Sequence, residues 1–102
     1  MKLYLDTSSN QKTIVGLGDQ RVELDSSVWH SQVVLPILVK LLKKQNRSIK
    51  EITEIELNVG PGSYTGLRVG AAIANALGYA LKIPVNGKMI SENQIIEPVY
   101  QG

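Results

Sequence analysis

The sequence predicts a single α/β domain in which a mixed sheet of about five strands carries two main helices. The first observation is that polar and apolar residues alternate in several short runs, as they do in strands with one buried face. The second is that two longer stretches, 28–45 and 67–81, have helical character. The third is the order of these segments, which is β-β-β-α-β-α-β.

Three strands open the chain as an antiparallel meander. Residues Lys2 to Asp6 alternate as a first strand. A second strand, Thr13 to Leu17, and a third, Arg21 to Leu24, are separated by Gly18-Asp19, a two-residue hairpin turn. The next residues, Asp25-Ser26-Ser27, are expected to form a loop and to cap the helix that follows.

The first helix is predicted from Val28 to about Gln45. Pro36 has no N–H to donate, so we expect either a kink there or a helix that begins only one turn earlier. The apolar positions that share one face are Val34, Ile37, Leu38, Leu41 and Leu42.

Four basic residues crowd the end of this helix. Two interpretations are open: favourable charge at the negative end of the helix dipole on a solvated face, or a small patch that contacts nucleic-acid phosphates. No aromatic residue is interleaved, which favours the first interpretation. The four residues are Lys40, Lys43, Lys44 and Arg47.

A glycine-rich turn separates an alternating strand, 55–59, from the second helix. Its residues are Gly60, Pro61, Gly62, Ser63, Tyr64, Thr65 and Gly66, followed by Leu67-Arg68. Glycines permit positive φ or close approach of another backbone, and Ser63 or Thr65 can cap the helix. A strand, a glycine turn and a helix start also point backbone N–H groups at one spot, as in anion sites.

The turn does not match a standard nucleotide-binding loop. A Walker loop requires Lys and then Ser or Thr after its last glycine, whereas Leu67 and Arg68 follow Gly66. A dinucleotide fingerprint has a different glycine spacing and follows the first strand of its unit. A tight strand-to-helix turn without a ligand stays open as an interpretation.

The second helix has small residues on one face. Gly66, Gly70, Ala74 and Gly78 recur every four residues, with Ala71 and Ala72 beside them. Glycine costs about 1 kcal/mol relative to alanine inside a helix, so this face needs a packing reason. Either the domain's own sheet or a partner helix approaches it closely. Residues 83–85 form a short last strand, and a polar tail follows.

Composition limits the function classes. The 102 residues are 43% hydrophobic and 20% charged, as expected of an ordinary globular chain large enough for one modest core. The absence of cysteine excludes disulfides and thiolate metal sites, and is compatible with the cytoplasm. A net charge of +2 is too small to indicate nucleic-acid binding. We expect no signal peptide and no membrane span, since the most apolar run, 69–83, is too short and contains Asn75 and Lys82.

Four segments together resemble one family. The segment from Gly60 to Arg68, followed by Val69-Gly70-Ala71-Ala72, resembles the signature of the TsaB (YeaZ) family, the scaffold subunit for N6-threonylcarbamoyladenosine on tRNA. Weaker matches, in chain order, are Leu5-Asp6-Thr7-Ser8, His30-Ser31 with Leu35-Pro36-Ile37, and Glu97-Pro98-Val99-Tyr100.

The resemblance implies one actin-like, ribonuclease-H-like half-domain (the ASKHA class) over residues 1–87, with a tail over 88–102. It implies a cytoplasmic, non-catalytic subunit that supports the paralogue TsaD in modifying adenosine 37 of ANN-decoding tRNAs. The expected partner is TsaD, in a heterodimer. A homodimer and docking of a third ATPase subunit, TsaE, stay open, and tRNA would be met indirectly through the complex.

Two groups of residues are assigned by this resemblance. The partner interface would be the helix near His30 and the helix after Arg68, with members His30, Leu35, Leu38, Leu42, Arg68, Gly70, Ala71, Ala74, Leu77 and Gly78. A vestigial phosphate-loop position would be formed by Asp6, Thr7 and Ser8.

The residues themselves do not support catalysis. A two-metal nuclease needs converging carboxylates, and Asp6 has only Asn58 at the corresponding place on the later strand. Asp6 is expected to bond the backbone of the residues that follow it. His30 is the only histidine, so no His-based metal pair exists, and no serine has a base and an orienter. We therefore expect no metal and no cofactor.

Length is the departure from the family, whose usual members have a second half of similar fold. We expect a natural reduction rather than a fragment, because the tail matches the family's ending. Two other functions stay open: a small phosphate- or nucleotide-binding enzyme that uses the loop Gly60–Gly66, and a homodimeric structural module without a tRNA role.

Overall fold

The computed structural model describes residues 1–25 and 30–99, with the backbone alone for residues 30–32. Three strands come first: β1 (Lys2–Asp6), β2 (Lys12–Leu17) and β3 (Gln20–Asp25). The rest of the fold is α1 (His30–Lys44), a 3-10 turn (Ile49–Glu51), β4 (Glu54–Leu57), α2 (Tyr64–Leu81), β5 (Pro84–Val85) and β6 (Lys88–Met89).

The strands form one mixed sheet in the order β3-β2-β1-β4-β5-β6. The β1–β2, β2–β3 and β5–β6 pairs are antiparallel, whereas β1–β4 and β4–β5 are parallel. The crossovers through α1 and α2 run in the same direction across the sheet, so their common handedness places both helices on one face. This arrangement confirms the predicted fold class, with a sixth strand in addition.

The core lies between the sheet and the two helices. Alternate strand residues, among them Leu3, Leu5, Val15, Leu17, Ile55 and Leu57, are buried on the helix side. All five residues of the predicted α1 stripe join them, so the helical spacing identified the core face correctly. The opposite face of the sheet is polar and carries the ion pairs Lys2–Glu56 and Lys12–Glu23.

The hairpin between β2 and β3 follows the predicted chemistry. Gly18 has φ of 59° and Asp19 has a negative φ, as the first and second central residues of a type II′ turn do. Leu17 therefore lies opposite Gln20, and the pairing continues to Lys12 opposite Asp25. Asp25 is thus the last residue of β3, which corrects its assignment to a loop. Ser26 and Ser27 lie outside the described residues.

The first helix excludes one of the two alternatives predicted at the proline. It begins at His30, six residues before Pro36, so it does not begin one turn earlier. Pro36 lies in the helix interior with an exposed side chain.

The second helix begins at Tyr64 rather than Leu67. Ser63 is its N-cap, since the Ser63 hydroxyl accepts a hydrogen bond from Gly66 N–H at 3.4 Å. Thr65 lies in the first turn instead. At the other end Lys82 adopts a left-handed conformation, and its N–H donates to the carbonyl of Gly78.

A turn at Asn86-Gly87 joins β5 to β6 and was missed in the polar tail. Both residues have positive φ, 49° and 82°, which is the geometry of a type I′ hairpin. The side chain of Asn86 also accepts from Leu57 N–H at 2.8 Å and donates to Leu57 C=O at 3.0 Å. The hairpin is thereby attached to β4.

No helix in the described part of the chain is both long enough and apolar enough to cross a bilayer.

Candidate functional site

The carboxyl ends of β1 and β4 meet the start of α2, and this is where the signature residues gather. The two strands are parallel, so the residues after Asp6 and after Leu57 leave the sheet at the same edge. The loop after β1 then contacts the turn that leads into α2: Ser63 N–H donates to Ser8 C=O at 2.6 Å. The structure therefore brings together the two segments that the sequence singled out.

Asp6 is held within this junction by its own neighbours. Oδ1 accepts from the backbone N–H of Ser8 at 2.9 Å and from its hydroxyl at 2.6 Å. Oδ2 accepts from Nδ2 of Asn58 at 3.2 Å. These contacts confirm that Asp6 bonds the residues that follow it, and they show that Asn58 acts as a donor to the carboxylate.

The pKa of Asp6 follows from this environment. Partial burial is the largest single influence and would raise the pKa, because it disfavours the charged form. Hydrogen bonds from the hydroxyl and N–H of Ser8, and from Asn58, together outweigh burial and lower the pKa below its ordinary value. Asp6 is thus stabilised as a carboxylate, which suits a structural anchor better than a general acid.

Thr7 joins the first strand to the second helix. Its side chain is buried, and its hydroxyl donates to the carbonyl of Gly66 at 2.6 Å. A methyl group at Gly70 would collide with the same hydroxyl and lie 3.2 Å from Leu57 Cδ1. Gly70 therefore allows α2 to approach the loop after β1 closely.

The glycines of the signature turn face atoms of this same chain. A methyl group at Gly62 would lie 2.5 Å from Ser8 C=O, and one at Gly60 would lie 2.7 Å from Val99 C=O. Gly60 also has φ of 122°, which side-chain-bearing residues rarely adopt. Since the space beside both glycines is filled by this chain, packing within the domain accounts for the missing side chains, and the geometry does not favour the phosphate-binding alternative.

The small-residue face of α2 packs on the domain's own sheet. Ala71 and Ala74 are buried, and a methyl group at Gly78 would lie 2.6 Å from Val85 Cγ2 and 3.0 Å from Ile90 Cγ1. Of the two partners considered for this face, the structure thus shows the sheet. Gly70, Ala71, Ala74 and Gly78 are core residues rather than surface residues, which corrects their assignment to a partner interface.

The three leucines of α1 that were assigned to the partner interface are divided between the core and the surface. Leu38 is 1% exposed and Leu42 is 8% exposed, so both belong to the core and not to a docking surface. Leu35, in contrast, is 47% exposed. Leu77 is partly buried against the core, Arg68 is exposed, and the side chain of His30 lies outside the described residues.

The outer sides of the two helices carry large exposed apolar groups, and we call this the helix surface. Leu35 and Val39 of α1 are 47% and 46% exposed, and Tyr64 and Tyr79 of α2 are 58% and 55% exposed. Ala72, Ala76 and Ala80 of α2 are also exposed. Val39 and Tyr79 were not among the predicted interface residues, although both lie off the buried stripe of their helices, a signal that could have identified them.

Arg68 is an exposed cation on the α2 part of the helix surface. The guanidinium carbon of Arg68 lies 5.5 Å from the ring centroid of Tyr64, and Nη1 donates to the Tyr64 hydroxyl at 3.3 Å. Beside this pair, an open groove of about 540 Å³ separates α2 from the tail; Asn75, Ile95, Glu97 and Pro98 also line it.

The described residues contain no group of three or more histidine, cysteine, aspartate or glutamate side chains that could hold a metal ion. Asp6 is the carboxylate at the junction, and its oxygens accept from Ser8 and Asn58. The junction can therefore position α2 on β1 and β4, and it offers no donor set for metal-assisted hydrolysis in this part of the chain.

Comparison with known proteins adds a family match. A family model described as "TsaD: tRNA N6-adenosine threonylcarbamoyltransferase" matches residues 25–88. A "tRNA threonylcarbamoyladenosine biosynthesis protein TsaB" from Buchnera aphidicola subsp. Baizongia pistaciae is 36% identical over 85 residues, which are 80% of this chain and 38% of that protein. A "tRNA N6-adenosine threonylcarbamoyltransferase" from Nitrosospira multiformis is 34% identical over 70 residues, which are 69% of this chain and 20% of that protein.

Solved structures agree with these relatives. The structure titled "YeaZ from Pseudomonas aeruginosa" matches with a TM-score of 0.77 and 28% identity, covering 82% of this chain and 41% of that one. The chain thus spans between 20% and 38% of the length of the curated relatives described above. The resemblance to the TsaB (YeaZ) family that the signature segments indicated is confirmed.

Proposed function

The chain belongs to the family described as tRNA N6-adenosine threonylcarbamoyltransferase (TsaD), whose model matches residues 25–88, and we propose that it takes part in forming threonylcarbamoyladenosine on tRNA. Relatives named for TsaB and for the transferase itself support this role. Because the chain covers a minor part of those relatives, their activities and partners are attributed to it here as a proposal.

Within this role, the chain is a non-catalytic subunit that binds TsaD. TsaD performs the threonylcarbamoyl transfer to adenosine 37 of ANN-decoding tRNAs, and this chain meets tRNA through the complex. Two observations support a binding role over a catalytic one. The carboxylate at the junction is bonded to its own loop, and the described residues contain no metal-ligating group of three or more side chains.

The helix surface is the observation that carries the proposal. Four large apolar side chains, each about half exposed, lie on the two helices that cover one face of the sheet. Exposed apolar groups on paired helices favour burial against another helical face, because covering the exposed half of each such side chain contributes on the order of 1 kcal/mol. Arg68 adds a cation that stacks on the ring of Tyr64, and arginine is enriched at the centres of interfaces.

Two leucine-to-arginine variants test this surface. Leu35 lies on the helix surface and is 47% exposed, whereas Leu24 lies on β3 and is 40% exposed. The chemical change is the same at the two positions, and their exposure is similar. We expect Leu35→Arg to weaken binding to TsaD from the same source at least tenfold, while Leu24→Arg leaves the affinity unchanged.

Calorimetric titration measures the affinity, and light scattering during size-exclusion chromatography measures the mass of the complex. Reconstituted modification of tRNA by TsaD, with and without this chain, provides the functional readout. The proposal is wrong if wild-type protein stays apart from TsaD. Loss of binding in Leu24→Arg with retention in Leu35→Arg would place the partner on the sheet edge instead.

A further inference from the structure

Strand β3 forms an open edge of the sheet. It pairs with β2 on one side and has no neighbouring strand on the other among the described residues. The two-residue turn makes Leu17 and Gln20 a hydrogen-bonded pair, and such pairs alternate along an antiparallel ladder. The N–H and C=O groups of Arg21, Glu23 and Asp25 therefore point outward from the edge.

The side chains of this edge divide by face. Val22 and Leu24 point to the helix side, where they line a shallow groove of about 220 Å³ with Ile37 and Leu41 of α1. Arg21 points to the polar side, since its guanidinium carbon lies 4.1 Å from the centroid of the Tyr4 ring. Glu23 is on the same polar side and pairs with Lys12 at 2.9 Å.

We propose that the β3 edge joins a second copy of this chain in an antiparallel, two-fold pair that continues the sheet, with Glu23 of each copy on the axis. In that register Arg21 lies opposite Asp25 of the other copy, twice. Val22 lies opposite Leu24, also twice. A two-fold axis perpendicular to the sheet keeps both pairs of helices on one side.

Charge and hydrogen bonding both favour this register. Arg21 opposite Asp25 places unlike charges directly across the junction, and cross-strand pairs of this kind contribute about 0.2–1 kcal/mol each. Arg21, Glu23 and Asp25 are the residues whose backbone groups are open, so each pair across the axis exchanges both of its hydrogen bonds. The chain's own edge is thus complementary to itself.

The apolar residues fit the same register. Val22 and Leu24 face each other as a non-hydrogen-bonded pair, in which Cα atoms lie about 4.5 Å apart and side chains meet closely. Leu24, 40% exposed in one copy, would be covered, and the two grooves beside α1 would join. The opposing cost is Glu23 against Glu23, which is reduced because Lys12 neutralises each carboxylate at 2.9 Å.

A register shifted by two residues is less favourable. It would place Val22 on the axis and Arg21 opposite Glu23, but Leu24 would then face the polar Gln20. Asp19 of the turn would lie near Asp25, so two like charges would face each other at each end. The register centred on Glu23 therefore gives more favourable charged and apolar side-chain pairs along the edge.

Light scattering of wild-type protein first measures the mass, which we expect to rise from 11.2 kDa to twice that value with concentration. Arg21→Glu should weaken the dimer at least tenfold, and Arg21→Glu with Asp25→Arg should restore it, because the unlike charges are exchanged. Arg21 also stacks on Tyr4, so Asp25→Arg alone is a second variant that keeps this contact. Leu24→Arg should abolish the dimer, whereas Leu35→Arg should not.

Single cysteines test the register, since the chain contains none. Because position 23 lies on the axis, Glu23→Cys would place the two Cα atoms of this position about 5.5 Å apart across the dimer. This distance is within the roughly 4.4–6.8 Å that separates the Cα atoms of disulfide-bonded cysteines. Asp25→Cys is the matched control on the same strand and face, with about 14 Å between copies. We expect Glu23→Cys to cross-link at least tenfold faster under mild oxidation.

Three results would overturn the inference. Wild-type protein could stay monomeric at all concentrations tested, the two cysteine variants could cross-link at equal rates, or Leu35→Arg could abolish the dimer while Leu24→Arg retains it. The last result would assign the dimer to the helix surface. Binding to TsaD is measured separately, so failure of the dimer leaves the proposed function intact, and the converse also holds.

Discussion

Gly70 shows how one missing side chain sets the distance between a helix and a strand end. A methyl group there would collide with the Thr7 hydroxyl, which itself donates to Gly66 C=O. Alanine is the better helix former by about 1 kcal/mol, so intrinsic propensity and packing oppose each other at this position. The collision involves a buried hydroxyl already committed to a hydrogen bond, and packing therefore decides.

We predict that Gly70→Ala lowers the free energy of unfolding by about 1–3 kcal/mol, measured by urea denaturation, despite the gain in helix propensity. Thr7→Ala removes the colliding hydroxyl, so Gly70→Ala should cost clearly less in that background than in wild type. Equal costs in both backgrounds would show that Thr7 does not limit the approach of α2.

The lowered pKa of Asp6 predicts that the stability of the fold depends on pH. Its folded-state pKa is lowered, so the unfolded chain binds more protons at acid pH. The stability that the carboxylate contributes is complete above its unfolded pKa of about 3.9 and is lost as pH falls through the folded value. Removing the carboxylate should remove that part of the pH dependence.

We therefore expect Asp6→Asn to be less stable than wild type near neutral pH and to approach it on acidification. Urea denaturation between about pH 3 and pH 7 measures the effect. Asp19→Asn, which removes one carboxylate charge from an exposed turn, is the charge-matched control. A constant difference between Asp6→Asn and wild type across this range would contradict the assigned role of Asp6.

At the scale of elements, the side chain of Asn86 helps to attach the short strands β5 and β6 to β4. Asn86 adopts a positive φ and also bonds both backbone groups of Leu57. Glycine at this position keeps the conformational freedom and loses the bridge, whereas alanine loses both. The two substitutions therefore separate the turn from its attachment to β4.

Asn86→Gly is expected to cost about 1–3 kcal/mol of unfolding free energy, because it leaves the N–H of Leu57 without its acceptor. Asn86→Ala should cost about 1 kcal/mol more, since alanine is strained at positive φ. Hydrogen exchange at Leu57 N–H should accelerate in both variants. Unchanged exchange would mean that the bridge does not protect β4.

For the whole molecule, the remaining question is how the tail relates to the domain. The sequence predicts a division after residue 87, yet Ile96 is 8% exposed and joins the core. The side chain of Asn75 in α2 donates to Ile96 C=O and accepts from Ile96 N–H, at 2.9 Å each. In addition, Val99 N–H donates to Val59 C=O at 2.8 Å. These contacts connect the tail to the second helix and to the signature turn.

Substitution of two neighbouring isoleucines tests how much that connection contributes to stability. Ile96→Ala should lower the free energy of unfolding by about 2–4 kcal/mol, as core truncations do. Ile95→Ala, at a position 51% exposed, should change it by less than about 0.5 kcal/mol. Equal and small effects would show that the tail is an appendage and that the division after residue 87 is real.

Much of the fold could be predicted because its signals are local. Alternation placed β1 to β3, Gly18-Asp19 placed their turn, and helical spacing identified the core stripe of α1. Ser63 was one of two caps considered for α2, and the predicted start of that helix was three residues late. The Asn86-Gly87 dipeptide was an equally local signal for a hairpin and was overlooked within a polar tail. Residues 60–72 indicated the family correctly, since a turn signature is a contiguous string.

The sequence by itself thus determined which residues share a face, and the tertiary structure alone decided what covers each face. Periodicity grouped Gly70, Ala74 and Gly78, but it took the packed sheet to show that Thr7, Leu57 and Val85 approach them rather than a partner helix. Leu38 lies on the predicted apolar stripe and Leu35 lies off it, yet the resemblance assigned both to one partner interface; the fold places Leu38 in the core and Leu35 on the surface. The reason is physical: spacing along a chain sets direction, whereas burial depends on segments that are distant in sequence and meet only when the sheet forms.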